Sequence, residues 1–241
     1  MQKISIVIPV YNEAENIDSL VRSFYKILEK LPDSEMIIAE DGSTDGTKEK
    51  LTQLKNQILF TLISGEKRKG YNQAVKDALK TSKKDIILFS DSSGQHDPND
   101  YFLLSKYIND YDMVVGYKSQ RQDPLFRLIL SKGYNLILRL LFGIKLHDIN
   151  CGFRLIKRNV IEDILPQTNT FKKYNILSEF TVRANHKGYK IREVAIHHLP
   201  RTKGEKKSFF ISNVGKVIYI MFRDILALKK ELKNNEAIKN N

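Results

Sequence analysis

Cysteine is almost missing from this chain: 241 residues hold one, Cys151. That excludes an internal disulfide framework and fits a reducing compartment. No partner for a nucleophilic thiol is suggested around it, so Cys151 reads as a buried structural thiol. Long apolar runs are also scarce. No window reaches the ~18 uncharged apolar residues of a membrane span. The first residues lack a basic segment followed by a long apolar one, so no signal peptide is expected. Neither Gly-x-Gly-x-x-Gly nor a Walker-type Gly-Lys-Ser occurs, which argues against dinucleotide and P-loop phosphate cradles. No RNA- or DNA-binding motif is present, so a nucleic-acid partner is not expected.

What is there begins with charge. The formal net charge is +12, and it is unevenly placed: −3 over residues 1–116, +7 over 117–158, −1 over 159–182 and +9 over 183–241. A basic second half suggests an anionic partner, although scattered solvated lysines would give the same total. With 241 residues and 41% hydrophobic content, one α/β domain with a full core is the simplest expectation.

Three apolar runs end in polar turns. Ile4 to Val10 stops near Pro9 and leads to Asn12 and Glu13. Met36 to Ala39 runs into Glu40-Asp41-Gly42-Ser43-Thr44-Asp45-Gly46-Thr47. Asp85 to Ser90 runs into Asp91-Ser92-Ser93-Gly94-Gln95-His96-Asp97-Pro98. Helical periodicity lies between them, which predicts βαβαβ units and a parallel sheet with right-handed crossovers. Ligands of such sheets bind beyond the carboxyl ends of the strands. The oxygen-rich turn from Asp91 suits Mg²⁺ or Mn²⁺, and it equally suits a plain strand-to-loop turn. Further strands are expected at Leu59–Ile63, Met113–Gly116 and, as an edge, Lys190–His198. Helices are expected at 124–143, 174–187 and, very apolar, 209–228. Residues 229–241 read as a frayed polar tail.

At these residues the chain resembles the family-2 inverting glycosyltransferases of the GT-A fold, and within them the dolichyl-phosphate (polyprenyl-phosphate) mannose synthase branch. The matching pieces are Val7 to Glu13, Glu40 to Thr47, Asp91 to Pro98, Asp148-Ile149-Asn150-Cys151-Gly152-Phe153-Arg154 and Arg201-Thr202-Lys203-Gly204-Glu205. The resemblance implies a mostly parallel central sheet flanked by helices. It divides a transferase domain at 1–208 into a nucleotide-binding half (1–116) and an acceptor half (117–208), followed by an amphipathic helix.

The resemblance also assigns roles. Pro9, Tyr11 and Glu13 would line the nucleotide pocket, with Asp41 near the base and Lys69 as a nearby cation. Asp91 corresponds to the first aspartate of an Asp-x-Asp metal motif whose second acid is here Ser93, and Gln95 matches a further metal-side position. His96 is expected to pack in the loop rather than ligate. Lys118, Arg127, Arg201 and Lys203 match phosphate-facing cations, with Lys118 and Lys203 replacing the commoner Arg. Asp148 is the best alternative carboxylate for an acceptor base.

The implied activity is transfer of a hexose from a GDP- or UDP-linked donor to a polyprenyl phosphate. The enzyme would be peripheral on the cytoplasmic membrane face and would contact an anionic leaflet through 209–228 and nearby lysines. The alternatives are a glycan-hydroxyl acceptor in cell-surface polysaccharide synthesis and a non-catalytic nucleotide-sugar-binding protein.

Overall fold

A computed structural model of the chain describes residues 2–119, 125–200 and 214–239. Its centre is one seven-stranded sheet. The strands are β1 (Ile4–Val10), β2 (Glu35–Glu40), β3 (Thr61–Ser64), β4 (Ile86–Ser90), β5 (Met113–Lys118), β6 (Phe153–Lys157) and β7 (Ile191–Ile196), in the order β3-β2-β1-β4-β6-β5-β7. β3, β2, β1 and β4 are mutually parallel, and β7 is parallel to β5. β6 runs against both its neighbours, β4 and β5.

The first four strands confirm the repeated strand–helix reading. β1 is buried along its whole length, as expected of an inner parallel strand covered on both faces. Helices α1 (Ile17–Leu28), α2 (Thr47–Leu54) and α3 (Tyr71–Thr81) make the crossovers. α1 buries Ile17, Leu20, Val21, Phe24 and Ile27, the i, i+3/i+4 face that its sequence announces. Burying each such side chain contributes about 1.5–3 kcal/mol. β3 lies two residues later than its apolar run begins, because Leu59 points into solvent.

α4 (Tyr101–Leu104) follows β4, and beyond β5 come α5 (Leu125–Phe142), α6 (Arg158–Ile164), α7 (Ile176–His186) and α8 (Val214–Lys239). β7 pairs with β5 alone and forms the expected edge. α7 is buried on every face from Ile176 to Ala184, and carries Glu179 and Arg183 into the interior. These two pair at 2.9 Å. The Glu179 carboxylate also accepts from the Thr170 and Phe171 amides, at 3.0 and 2.8 Å. A buried ion pair survives desolvation when its remaining hydrogen-bonding capacity is met in this way.

The C-terminal expectation needs correction. Residues 229–239 continue α8 as helix, whereas 209–213 lie outside the described residues. Leu228 and Leu232 are buried, and Glu231 reaches Arg183 at 2.9 Å and the Thr170 hydroxyl at 2.5 Å. A polar segment therefore holds a helix because one acid on it meets a buried cation.

Candidate active site

The carboxyl ends of β1, β2 and β4 form one edge, and the polar turns that follow them are stitched together there. The Asn12 amide donates to Ser43 Oγ (2.9 Å), the Glu13 amide to Thr47 Oγ1 (2.8 Å) and the Ala14 amide to Asp45 Oδ2 (3.1 Å). In return the Thr44 amide donates to Asn12 Oδ1 at 2.8 Å. Ser, Thr and Asp side chains take up backbone donors that no strand can reach. Asn12 itself sits at φ +53, which asparagine tolerates better than most residues.

Of the expected nucleotide residues, Pro9 lies within β1 opposite Ala39. Tyr11 is half-buried just beyond it. Glu13 is buried, and its carboxylate accepts from Asn16 Nδ2 at 3.2 Å. Asp41 is buried at the end of β2 and accepts from the Lys69 amide (2.7 Å) and the Gly70 amide (2.9 Å). Gly42 has φ +66, and a Cβ there would lie 2.6 Å from the Arg68 nitrogen. The 67–70 segment is thus pressed onto the β2 turn. Lys69 reaches Asp41 through its backbone, for its ammonium pairs with Asp77 at 3.1 Å. The cation that lies over Tyr11 and beside Asp41 is Arg68. Its guanidinium lies 3.9 Å from the Tyr11 ring centroid, and its Nε is 3.9 Å from Asp41. In sequence Arg68 is one of three adjacent cations, and nothing distinguishes it from a solvated neighbour.

Asp91 follows β4. Its amide donates to the Gly152 carbonyl at 2.9 Å, and its Oδ1 accepts from the Tyr71 hydroxyl at 2.8 Å. Burial pushes its carboxyl up, against Tyr71, Lys118 and Arg154, which pull it down. Lys118, at the end of β5, acts on Asp91 as a positive charge, and Asp148 acts as a negative one in the opposite direction. Ser93 Oγ accepts from the Gln95 amide at 3.4 Å. Gln95 Nε2 lies 3.0 Å from His198 Nε2, and its carbonyl accepts from the Leu199 amide. His96 packs on Phe153 and is held well below its ordinary pKa by burial, as a loop-packing imidazole should be. Arg127 is half-exposed near the start of α5, while Arg201 and Lys203 lie outside the described residues.

Arg154 had no role in the sequence reading beyond its place in a motif. It is fully buried on β6, where it donates to the carbonyls of Ile149, Cys151 and Leu177 and to Thr181 Oγ1. It fixes the turn that presents Gly152 to Asp91. Asn150 extends the same turn to α7 through Ser178 and Asn175.

The donor set fits a hard divalent cation only in part. Asp91 supplies a carboxylate, and Gln95 and Ser93 supply neutral oxygens. Among the described residues no group of three His, Cys, Asp or Glu could hold a metal alone. A Mg²⁺ or Mn²⁺ ion held here would need further ligands, of the kind substrate phosphates supply.

Comparison with known proteins agrees with this construction. A family model described as "Glycosyl transferase family 2" matches residues 5–165. An undecaprenyl-phosphate 4-deoxy-4-formamido-L-arabinose transferase of Yersinia enterocolitica is 29% identical over 234 residues, covering 95% of this chain and 68% of its own length. Its counterpart in Salmonella choleraesuis is 29% identical over 217 residues, covering 88% of this chain and 64% of its own. The chain thus spans about two thirds of these relatives. Among solved structures, glucosyl-3-phosphoglycerate synthase of Mycobacterium tuberculosis, bound to Mn²⁺, UDP and glucosyl-3-phosphoglycerate, superposes with a TM-score of 0.73 at 17% identity. The match covers 95% of this chain and 80% of that one. The same enzyme with Mg²⁺ and UDP gives 0.72. At that identity the likeness speaks for the fold. With the family model matched across both halves of the sheet, the chain belongs to glycosyl transferase family 2.

Proposed function

We propose that this enzyme transfers a sugar from a nucleoside-diphosphate donor to the phosphate of a polyprenyl lipid at a membrane surface. The observation that carries the reading is the similarity, along 95% of the chain, to transferases named for undecaprenyl phosphate. The chemistry of the edge supports it. A phosphate monoester is largely ionised at neutral pH, its second pKa being about 6, so its oxygen attacks without a strong protein base. The one histidine in the Asp91 turn, His96, is buried and serves packing.

In this reading the acceptor oxygen bonds to the anomeric carbon as the bond to the donor diphosphate breaks, and the nucleoside diphosphate leaves with the electron pair. Tyr11, Asp41 and Arg68 bind the nucleoside side. Asp91 and Gln95 would hold Mg²⁺ or Mn²⁺, which when bound neutralises the leaving diphosphate. Lys118, Arg127, Arg201 and Lys203 hold the acceptor phosphate beside an anionic donor. The structural neighbours support UDP as a donor nucleotide, with GDP as the alternative.

Peripheral attachment to the cytoplasmic membrane face belongs to the same proposal. No helix among the described residues is long and apolar enough to cross a membrane. Yet α5 exposes Leu125, Ile129, Leu136 and Leu140, which fall on one stripe of its surface. α8, which packs against α5, exposes Ile218, Phe222 and Leu226 likewise. By helical spacing Lys132 and Arg139 lie beside the α5 stripe, where they suit an anionic leaflet.

The test is incubation with polyprenyl phosphate, Mn²⁺ and, in turn, labelled UDP-glucose, UDP-N-acetylglucosamine and GDP-mannose. Label passing into the organic phase supports the reading. Label appearing only on a water-soluble glycan would replace the acceptor, and tight donor binding with no transfer to either would leave a binding protein.

A further inference from the structure

Asp41 and Asp91 stand at the ends of different strands, and one short segment touches both. The Asp41 carboxylate accepts from the amides of Lys69 and Gly70, at 2.7 and 2.9 Å. The next residue, Tyr71, opens α3 and donates its hydroxyl to Asp91 Oδ1 at 2.8 Å. Gly70, at φ +98, makes the bend that lets successive residues face two different carboxylates.

The other Asp91 oxygen is fixed from the opposite side. A Cβ on Gly152 would lie 1.8 Å from Asp91 Oδ2 and 2.2 Å from its Cγ. The carboxylate therefore occupies the space that any larger residue at 152 would fill. With its amide on the Gly152 carbonyl as well, Asp91 has one orientation. Tyr71 is 37% exposed. Burial around its hydroxyl and the charge of Asp91 push the phenol well above its ordinary pKa, so it stays an O–H donor at neutral pH.

We infer that Tyr71 is a positioning residue that sets the Asp91 carboxylate for a divalent cation and ties it to the nucleotide side of the site through Gly70 and Asp41. The inference rests on the donor reading above. A carboxylate already locked in one rotamer loses no freedom on ligation. One hydrogen bond uses one lone pair of Oδ1 and leaves the rest for a metal. A chain that keeps one of the two acids of an Asp-x-Asp motif, with Ser93 in place of the other, depends on that orientation more than one with both.

The experiment measures UDP and GDP binding by calorimetry, with and without Mn²⁺, in the wild type and in Tyr71→Phe. The expected result is that Tyr71→Phe keeps its metal-free nucleotide affinity, while the gain in affinity conferred by Mn²⁺ falls roughly 10-fold, the effect of one charge-assisted hydrogen bond. Gly152→Ala, which displaces Oδ2, should show the same signature. If Gly152→Ala does not fold, Tyr71→Phe decides alone. An unchanged Mn²⁺ gain overturns the inference, and so does an equal loss of affinity with and without metal, which marks a purely structural role. A wild type that transfers sugar but shows no Mn²⁺ gain overturns it and leaves the proposed function standing. A Tyr71-dependent gain without transfer to lipid does the reverse. A wild type that binds neither nucleotide overturns both.

Discussion

Single residues at the donor edge make different demands on the reaction. In the proposed reaction the Asp91 carboxylate would help hold the divalent cation that neutralises the leaving diphosphate. Asp91→Asn removes that anion and keeps the shape. Turnover should fall on the order of 10²-fold or more, the usual effect of deleting one preorganised electrostatic group, with unchanged circular dichroism. A folded Asn variant with wild-type turnover would remove Asp91 from the mechanism. Cys151 illustrates the opposite case. Burial pushes its thiol up to about 12, so it should resist iodoacetamide in the native protein at pH 8 and react once denaturant is added. Native alkylation at the rate of a free thiol would contradict its enclosure. The places of Asp91 and Asp41 at strand ends were legible from the apolar runs before them, and the roles expected of them came from the resemblance of their turns to a family. Tyr71 was not legible. Its partner lies on another loop, and whether the first residue of a helix turns toward that loop depends on a tertiary angle. Arg68 and Lys69 look alike in sequence, and only the fold tells the one over Tyr11 from the one beside Asp77.

The elements divide in the same way. Helices and strands with one buried face declared themselves, whereas α8 was read only in part. Its anchor joins Glu231 to an arginine on α7, and no local pattern reports such a pair. Glu231→Ala leaves Arg183 with the Glu179 carboxylate and the Thr170 hydroxyl. With Glu231 partly exposed, the loss should be about 1–2 kcal/mol, read as a fall of roughly 2–8 °C in Tm. No change would mean that the apolar contacts of Leu228 and Leu232 alone hold the helix. Farther up α8, Phe222→Ser combined with Leu226→Ser removes exposed apolar surface without touching that anchor. Its Tm should match the wild type, while co-sedimentation with anionic liposomes drops several-fold, each apolar side chain being worth about 1.5–3 kcal/mol on burial. Unaltered liposome binding would return the stripe to a role in protein packing.

At the scale of the molecule, the parallel half of the sheet follows from the alternation of apolar runs and helical segments. The direction of β6 does not. Phe153–Lys157 carries two charged residues in five and is not among the strands expected from sequence, and nothing in five residues records which way they run. That reversal brings the start of β6, not its end, to the edge where β4 delivers Asp91. The seam between the donor and acceptor halves is therefore no boundary between modules. A fragment ending at residue 116 would keep every donor motif, yet expose the flank of β4 that pairs with β6, from Ile86 to Ser90. It would also lose Gly152 and Arg154. Such a fragment should aggregate rather than bind UDP as a monomer, which size-exclusion chromatography and calorimetry would show. A soluble, nucleotide-binding 1–116 fragment would prove the halves separable. For the exchange of acceptor specificity between relatives, the consequence is practical. A crossover placed after β5 would mate the β4 of one protein with the β6 of another, and each chimera would have to rebuild the seating of its own Asp91. Productive recombination has to keep both strands and the 148–154 turn from a single parent, and draw its variation from the helices beyond them.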